Sequence, residues 1–597
     1  GCESDKELKS LAEKISPMGS KFSNDILLNN QLFEKIKYVY NNKEDNNLDE
    51  QDLRLIDVTY KRFIRNGASL DEESKDKIRK IDEKLSLLSP KFSNNVLNAQ
   101  NEYELWVDNE SDLDGLPTSS VSMAKQEAKQ KGKPEKWLFT LQYPSMGPFL
   151  SYAKNRELRK ELHLAYGSLC NNDKFCNNDV IKEIVQLKHQ RANLLGYNTF
   201  ADYVLDDRMA EKVENVYGLL DDLYDNCYEK AKIELNELKE FAKELDNIDD
   251  FKPWDQSYYF TKLQKKKFDI DPEMLRPYFK AENVINGIFN VANKMYGIKF
   301  NELNSIDTWH EEVTTYEVLN EDDSLVGLIY IDLHPRPTKR SGAWMNSIKD
   351  NGLYKGEVRR PHVQFTANLT RSTEDKPALL TFSEVETVFH EFGHCLHGLL
   401  SDCKYSTIGN TNVKWDFVEL PSQIMENWVS EKEALNLFAH HFESGKNIPD
   451  DLIQKIKDSK NFGAANMYLR QLSLGYIDMA WHTNTSTIDN IEEFEKDTLK
   501  KTTLFDKVEG TTISSHFGHI FGGGYAAGYY SYKWAEVLEA DAFESFKENG
   551  IFNKEIALAF RENILSKGNL KNPMELYKNF KGREPKVDAL LKRDGLV

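Results

Sequence analysis

Residues 213–245, VENVYGLLDDLYDNCYEKAKIELNELKEFAKEL, return apolar side chains to one face at helical spacing for about nine turns. Such a stripe leaves water only by packing against other helices or a sheet. Residues 71–100 repeat the pattern, with Ile78, Ile81, Leu85 and Leu88 on one face and charges between them. Asn/Asp-rich connections, NNKEDNNLDEQD (41–52) and DNIDDFKPWD (246–255), separate such segments. No fixed repeat period is present, which weighs against a helical solenoid. The expected fold is therefore mainly α.

Near residue 313 the period changes. VTTYEVLN, EDDS and LVGLIYIDLHPR read as a hairpin, and RRPHVQFTANLT (359–370) as a third strand. This divides the chain into a mostly helical region, 1–312, and a region 313–597 that holds a small sheet. Helical patterns return beyond residue 430 and break at SHFGHIFGGGYAAGYYSYKW (515–534). Three consecutive glycines cannot form a stable helix interior, so a mobile or tightly turned loop is expected there.

Charge narrows the function classes. A formal net charge of -19 opposes binding to nucleic acid or to anionic membrane, both of which need a basic surface. No run of 18 apolar residues occurs, and no transmembrane helix is expected. Cys2, Cys170, Cys176, Cys227, Cys395 and Cys403 are too sparse for a disulfide framework and point to a reducing compartment, the cytoplasm. Cys170 and Cys176 form a candidate redox or metal pair with no second pair nearby. The start GCESDKELKS offers an alternative location, because Gly-Cys is what a lipoprotein cleavage site leaves on a lipid-anchored or periplasmic chain. A trimmed chain explains it more simply. A monomer is expected.

The stretch SEVETVFHEFGHCLHGLLS (383–401) carries the chemistry. Ser383 and Glu386 read as a capping box opening a helix that runs to about Leu400, with Val385, Phe389, Phe392, Leu396 and Leu399 on its buried faces. At 3.6 residues per turn, His390 and His394 fall on one face a single turn apart, whereas His397 lies about 10 Å beyond His390 along the axis. His390 and His397 therefore cannot easily share an ion. Glu391, directly after the first histidine, selects His390 with His394, because a carboxylate there reaches the water beside a zinc ion without being a ligand. His397 is left as a packing or supporting residue. Catalytic zinc usually takes a third protein ligand, and KWDFVELPSQIMENW (414–428) offers Asp416, Glu419 and Glu426. Spacing alone does not rank them; Pro421 would distort a helix there and re-aim a neighbouring carboxylate.

These residues, with DLHPRPTKRSGAW (332–344), PALLTFSEVETVFHEFGHCLHGLLS (377–401), WDFVELPSQIMENW (415–428), FGHIFGGGYAAGYYSYKWAEVLEADAF (517–543) and PMELYKNFKGREP (573–585), resemble the thimet oligopeptidase family of zinc metallopeptidases, especially its bacterial oligopeptidase A and peptidyl-dipeptidase branch. The resemblance implies two helical lobes flanking a deep channel, with a small sheet beside the zinc helix. It implies one Zn2+ per chain on His390, His394 and Glu419, with Glu391 as general base and Glu386 and Asp416 orienting the histidines. It implies His519, Tyr525 and Tyr532 as donors to substrate or oxyanion, while Tyr529 and Tyr530 read better as core residues. Gly342 and Ala343 in SGAW would line an edge strand along which a substrate backbone lies. The substrates implied are short unstructured peptides, cut internally or shortened by C-terminal dipeptides. Against the family's bacterial members, an N-terminal helical stretch is expected to be missing. The alternative from another class is a zinc-stabilised helical scaffold that binds peptides without cutting them.

Overall fold

The structure, a computed structural model, describes residues 2, 3 and 5–597. Gly1 of the Gly-Cys start lies outside the described residues. Both long amphipathic segments are helices: α1, Glu72–Glu102, and α2, Val213–Asp246. Asp71 caps α1 by accepting from the Ser74 N–H, satisfying one of the donors left open at a helix start. Helix α3, Ala281–Tyr296, precedes the sheet and ends at Gly297, whose φ of +72° suits glycine at a helix terminus.

The sheet has five strands: β1, Lys299–Leu303; β2, Thr314–Leu319; β3, Leu325–Asp332; β4, Trp344–Lys349; and β5, His362–Thr366. Their spatial order is β1-β2-β3-β5-β4. The expected hairpin is β2–β3, antiparallel with Thr314 opposite Ile331, and the third strand β5 runs parallel to β3 with Leu328 opposite His362. Strand β4 closes one edge. It starts at Trp344, so Gly342 and Ala343 are not in the strand as expected. They form the turn delivering it, where Gly342 has φ +94°, a conformation that side chains disfavour.

That turn is held by the motif DLHPRPTKR. Asp332, at the end of β3 and fully buried, accepts from Arg336 through both oxygens (2.8 Å each), from Lys339 Nζ (2.9 Å) and from Trp309 Nε1 (2.9 Å). These charge-assisted bonds hold its carboxyl low, at about 2, against the upward push of burial.

On the sheet lies α4, Phe382–Leu399. Its inner side chains Val385, Phe389, Phe392, Leu396 and Leu399 are at most 2 % exposed and join α3 and the sheet in the largest core. Burying five such side chains contributes on the order of 10 kcal/mol toward seating the helix. Two further cores join distant parts of the chain. One packs Leu220 and Leu223 of α2 against Leu472 and Met479 of α6, Ala464–Thr483. The other packs Phe92 of α1 against Ile477 and Trp481 of α6 and Phe521. Among the described residues no helix is long and apolar enough to cross a membrane. Cys170 and Cys176 carry free thiols.

Candidate active site

Helix α4 begins two residues earlier than the sequence suggests. The capping box is Thr381 with Glu384, not Ser383 with Glu386: Thr381 Oγ1 accepts from Glu384 N (3.1 Å) and Glu384 Oε2 from Thr381 N (2.7 Å). Glu384 also accepts from Thr370 N (2.6 Å) and Thr370 Oγ1 (2.8 Å), which pins the helix start to the chain leaving β5. Ser383 stays exposed in the first turn.

About two turns further on, His390 and His394 stand with ring centroids 5.0 Å apart. Facing them is Glu419, which precedes the short helix α5, Leu420–Glu426. Pro421 falls in the first turn of α5, where its missing N–H costs nothing, so it starts this helix rather than distorting it. What allows α4 and α5 to approach so closely is Gly393 of HEFGH: a Cβ there would stand 2.2 Å from the Pro421 carbonyl oxygen. As a result Glu419 Oε2 lies 3.1 Å from His394 Nε2 and 3.3 Å from His390 Nε2, and the three ligand atoms fall within 4.8 Å of one another. Ser422 Oγ donates to the same Glu419 oxygen at 2.9 Å.

The second carboxylate on His390 is Glu426, whose Oε1 is 2.6 Å from Nδ1. It lies seven residues after Glu419, two helical turns, and that spacing is the signal that could have assigned it. The sequence leaves Glu426 open as a ligand, a cap or a supporting partner, and the family resemblance gives the orienting role to Glu386 and Asp416. Glu386 instead sits near Glu426, and burial, followed by that carboxylate's charge, raises its pKa to about 7. Asp416 is not on a histidine. It accepts from Met209 N, Ala210 N and the Tyr530 hydroxyl, each at 2.9 Å.

This donor set fits a divalent cation. With Nδ1 of His390 donating to Glu426, Nε2 of a neutral ring is an acceptor, and it faces another acceptor, Glu419, in a buried place. Only a cation or an added proton makes that contact favourable. The pKa shifts carry the same message: burial pushes the His390 imidazolium down, yet the bonds to Glu419 and Glu426 outweigh it and hold the ring well above the usual range. Glu419 lies well below the carboxylate range despite burial, held there by His394 and His390.

Glu391 is buried beside this cluster, and its Oε2 has no hydrogen-bond partner. Burial, then the charges of Glu419 and Glu426, raises its pKa, with the two histidines opposing. A desolvated, raised carboxylate has the properties of a proton acceptor that must also give the proton back. His397 points into the core, fully buried with both ring nitrogens unpartnered, and burial pushes its pKa down to about 3.

The glycine run is a tight turn. A Cβ on Gly522 would stand 2.2 Å from Ser93 Oγ and one on Gly524 2.8 Å from the Trp415 ring. The turn delivers Tyr525, which packs edge-on against Trp415 at 4.9 Å and donates its hydroxyl to Glu419 Oε1. Tyr532, in the first turn of α7, Ser531–Asn549, stacks on Tyr525 at 5.0 Å. The His519 ring centroid lies 5.7 Å from that of Tyr525 and 6.2 Å from that of Tyr532, and burial lowers its pKa, with Glu419 opposing. Tyr530 bonds Asp416, and the Tyr529 hydroxyl bonds Gln471 at 3.1 Å.

Proteins of known identity resemble this chain over nearly its whole length. Oligopeptidase A of Haemophilus influenzae is 37% identical over 600 residues, covering 99% of this chain and 88% of the relative. Dipeptidyl carboxypeptidase of Escherichia coli is 33% identical over 596 residues, covering 99% and 87%. Among solved structures, PZ peptidase A with an inhibitor shares the fold, with a TM-score of 0.58 at 14% identity over 99% of this chain and 85% of that one. The model of peptidase family M3 matches residues 149–596, a span that contains the paired histidines, Glu391, Glu419 and the tyrosine turn. A family model over most of the chain and relatives above 30% identity over nearly all of it agree: the chain belongs to peptidase family M3.

Proposed function

We propose that His390, His394 and Glu419 hold one zinc ion and that the site hydrolyses peptide bonds in short unstructured peptides. The observation that carries the reading is Glu419 Oε2 placed 3.1 and 3.3 Å from two imidazole Nε2 atoms, with the partnerless Glu391 oxygen buried alongside. When bound, zinc supplies Lewis acidity toward a carbonyl oxygen and a water. Glu391 accepts the proton of the attacking water and returns it to the leaving nitrogen. Tyr532, His519 and Tyr525, whose single O–H turns from Glu419 to the substrate, donate to the oxygen that gains charge; the phenols keep their protons, since burial raises both well above their usual range. Glu426 keeps the His390 proton on Nδ1. Gly342 and Ala343, next to the open edge of β4, support strand addition by an extended peptide. A channel between helical lobes would admit such peptides and exclude folded chains. The scaffold reading gives way, because the family is one of peptidases and Glu391 would have no task in it.

Metal analysis of the purified protein tests the centre. One zinc per chain is expected, with a clear loss in Glu419→Ala; unchanged stoichiometry in that variant would refute the ligand set. Relatives are named both oligopeptidase and dipeptidyl carboxypeptidase. Digestion of one peptide with free and amidated C-terminus separates the modes: stepwise dipeptide loss that amidation abolishes selects the dipeptidase, and internal cuts indifferent to it select the oligopeptidase.

A further inference from the structure

Ala527 is buried and has a φ of +52°, a left-handed conformation uncommon for a residue with a side chain. It sits inside the turn that carries Tyr525 and leads to Tyr532. Three consecutive backbone N–H groups of this turn converge on one carboxylate, that of Asp478 on α6. Ala527 N donates to Oδ1, and Gly528 N and Tyr529 N to Oδ2, each at 2.8 Å. His482, one turn along α6, places Nδ1 2.8 Å from Oδ1. The turn thus forms a concave nest of amides of the kind that binds anions, and the protein fills it with its own fully buried carboxylate. Neither Asp478 nor His482 belongs to a motif the sequence marks out.

We propose that Asp478 is a positioning residue for peptide hydrolysis: by occupying the amide nest it keeps Ala527 left-handed and so holds the Tyr525 phenol at the site, where its hydroxyl rests on Glu419 until it turns to the substrate oxygen. This rests on the reading of the site as a peptidase. Glu419 stands beside the core built on α4 and the sheet, whereas Asp478 rides on a helix packed into the other two cores. The turn is one link between them, alongside α7, and this carboxylate holds it from the far side. Asparagine in its place would turn an amide nitrogen toward at least one N–H and leave it unpaired.

The test compares Asp478→Asn, Tyr525→Phe and the double variant as zinc-loaded enzymes, with hydrogen exchange over residues 525–530. Asp478→Asn is expected to lower kcat by about tenfold with KM little changed, a loss of the size of one transition-state donor, and with zinc stoichiometry intact. Exchange in 525–530 should rise by about tenfold. In the Tyr525→Phe background the same substitution should cost almost nothing further, because both changes remove one interaction. Additive losses, parental exchange, or zinc lost in step with activity would each overturn the proposal. Should Asp478→Asn not fold, Asp478→Glu keeps a carboxylate but misplaces its oxygens against the three amides, and the same criteria apply to it. A parent enzyme without peptidase activity would instead refute the proposed function, while the exchange measurement would still report on the nest.

Discussion

At the residue scale the site is a set of carboxylates told apart by their surroundings. Glu419 is drawn low by two imidazoles, Glu391 is pushed up with one oxygen unpartnered, and Glu426 rests on the outer nitrogen of His390. The proposed function gives these three like groups three tasks, ligand, base and orienting acceptor. Glu391→Gln keeps the shape and removes the basicity. Turnover is expected to fall by about 10²–10⁴-fold with zinc retained, read by kcat and metal analysis on the same sample. Residual turnover near the parental rate would exclude Glu391 as the base.

At the element scale two contacts decide whether the centre forms. Gly393→Ala puts a methyl group on the Pro421 carbonyl and forces α4 and α5 apart. A destabilisation of about 1–3 kcal/mol and weaker zinc retention against a chelator are expected, measured by denaturant titration and metal competition. Asp332 sets the turn before β4. Its folded pKa of about 2 lies below the unfolded value near 3.8, so its contribution, about 2.5 kcal/mol, is present above pH 4 and disappears as pH falls through 2. Urea titrations from pH 5 to pH 2 should show that slope in the parent and not in Asp332→Asn, whose stability at neutral pH should be lower by about 3 kcal/mol. These elements also mark how much was legible in the sequence. The helix periods, the β2–β3 hairpin and the histidine pair were readable because they depend on spacing along one segment. The choice of Glu419 came from family likeness, since only the α4–α5 crossing distinguishes it from Asp416 and Glu426. The cap slipped from Thr381 to Ser383 because S-x-x-E and T-x-x-E overlap there and only the tie to Thr370 decides between them. Asp478 was invisible: its partners are backbone amides some 50 residues away, and amides leave no mark in a sequence.

At the scale of the whole molecule, function is set by charge and by how the cores meet. A net charge of -19 should favour cationic substrates at long range. For matched peptides bearing Lys or Glu away from the cut, kcat/KM is expected to fall several-fold with added salt for the first and to rise for the second. Equal salt dependence would show that the field at the site does not follow the net charge.

The three cores draw on interleaved parts of the chain, and the Tyr525 hydroxyl on Glu419 is where their boundary crosses the chemistry. A hydrogen bond breaks when its ends separate by little more than 1 Å. A displacement that carries the turn away from the core shared by α4 and α5 therefore separates the phenol from Glu419 while the two histidines and Glu419 stay together. On the proposed function, such a displacement would leave the metal ligands in place and remove a donor from the reaction.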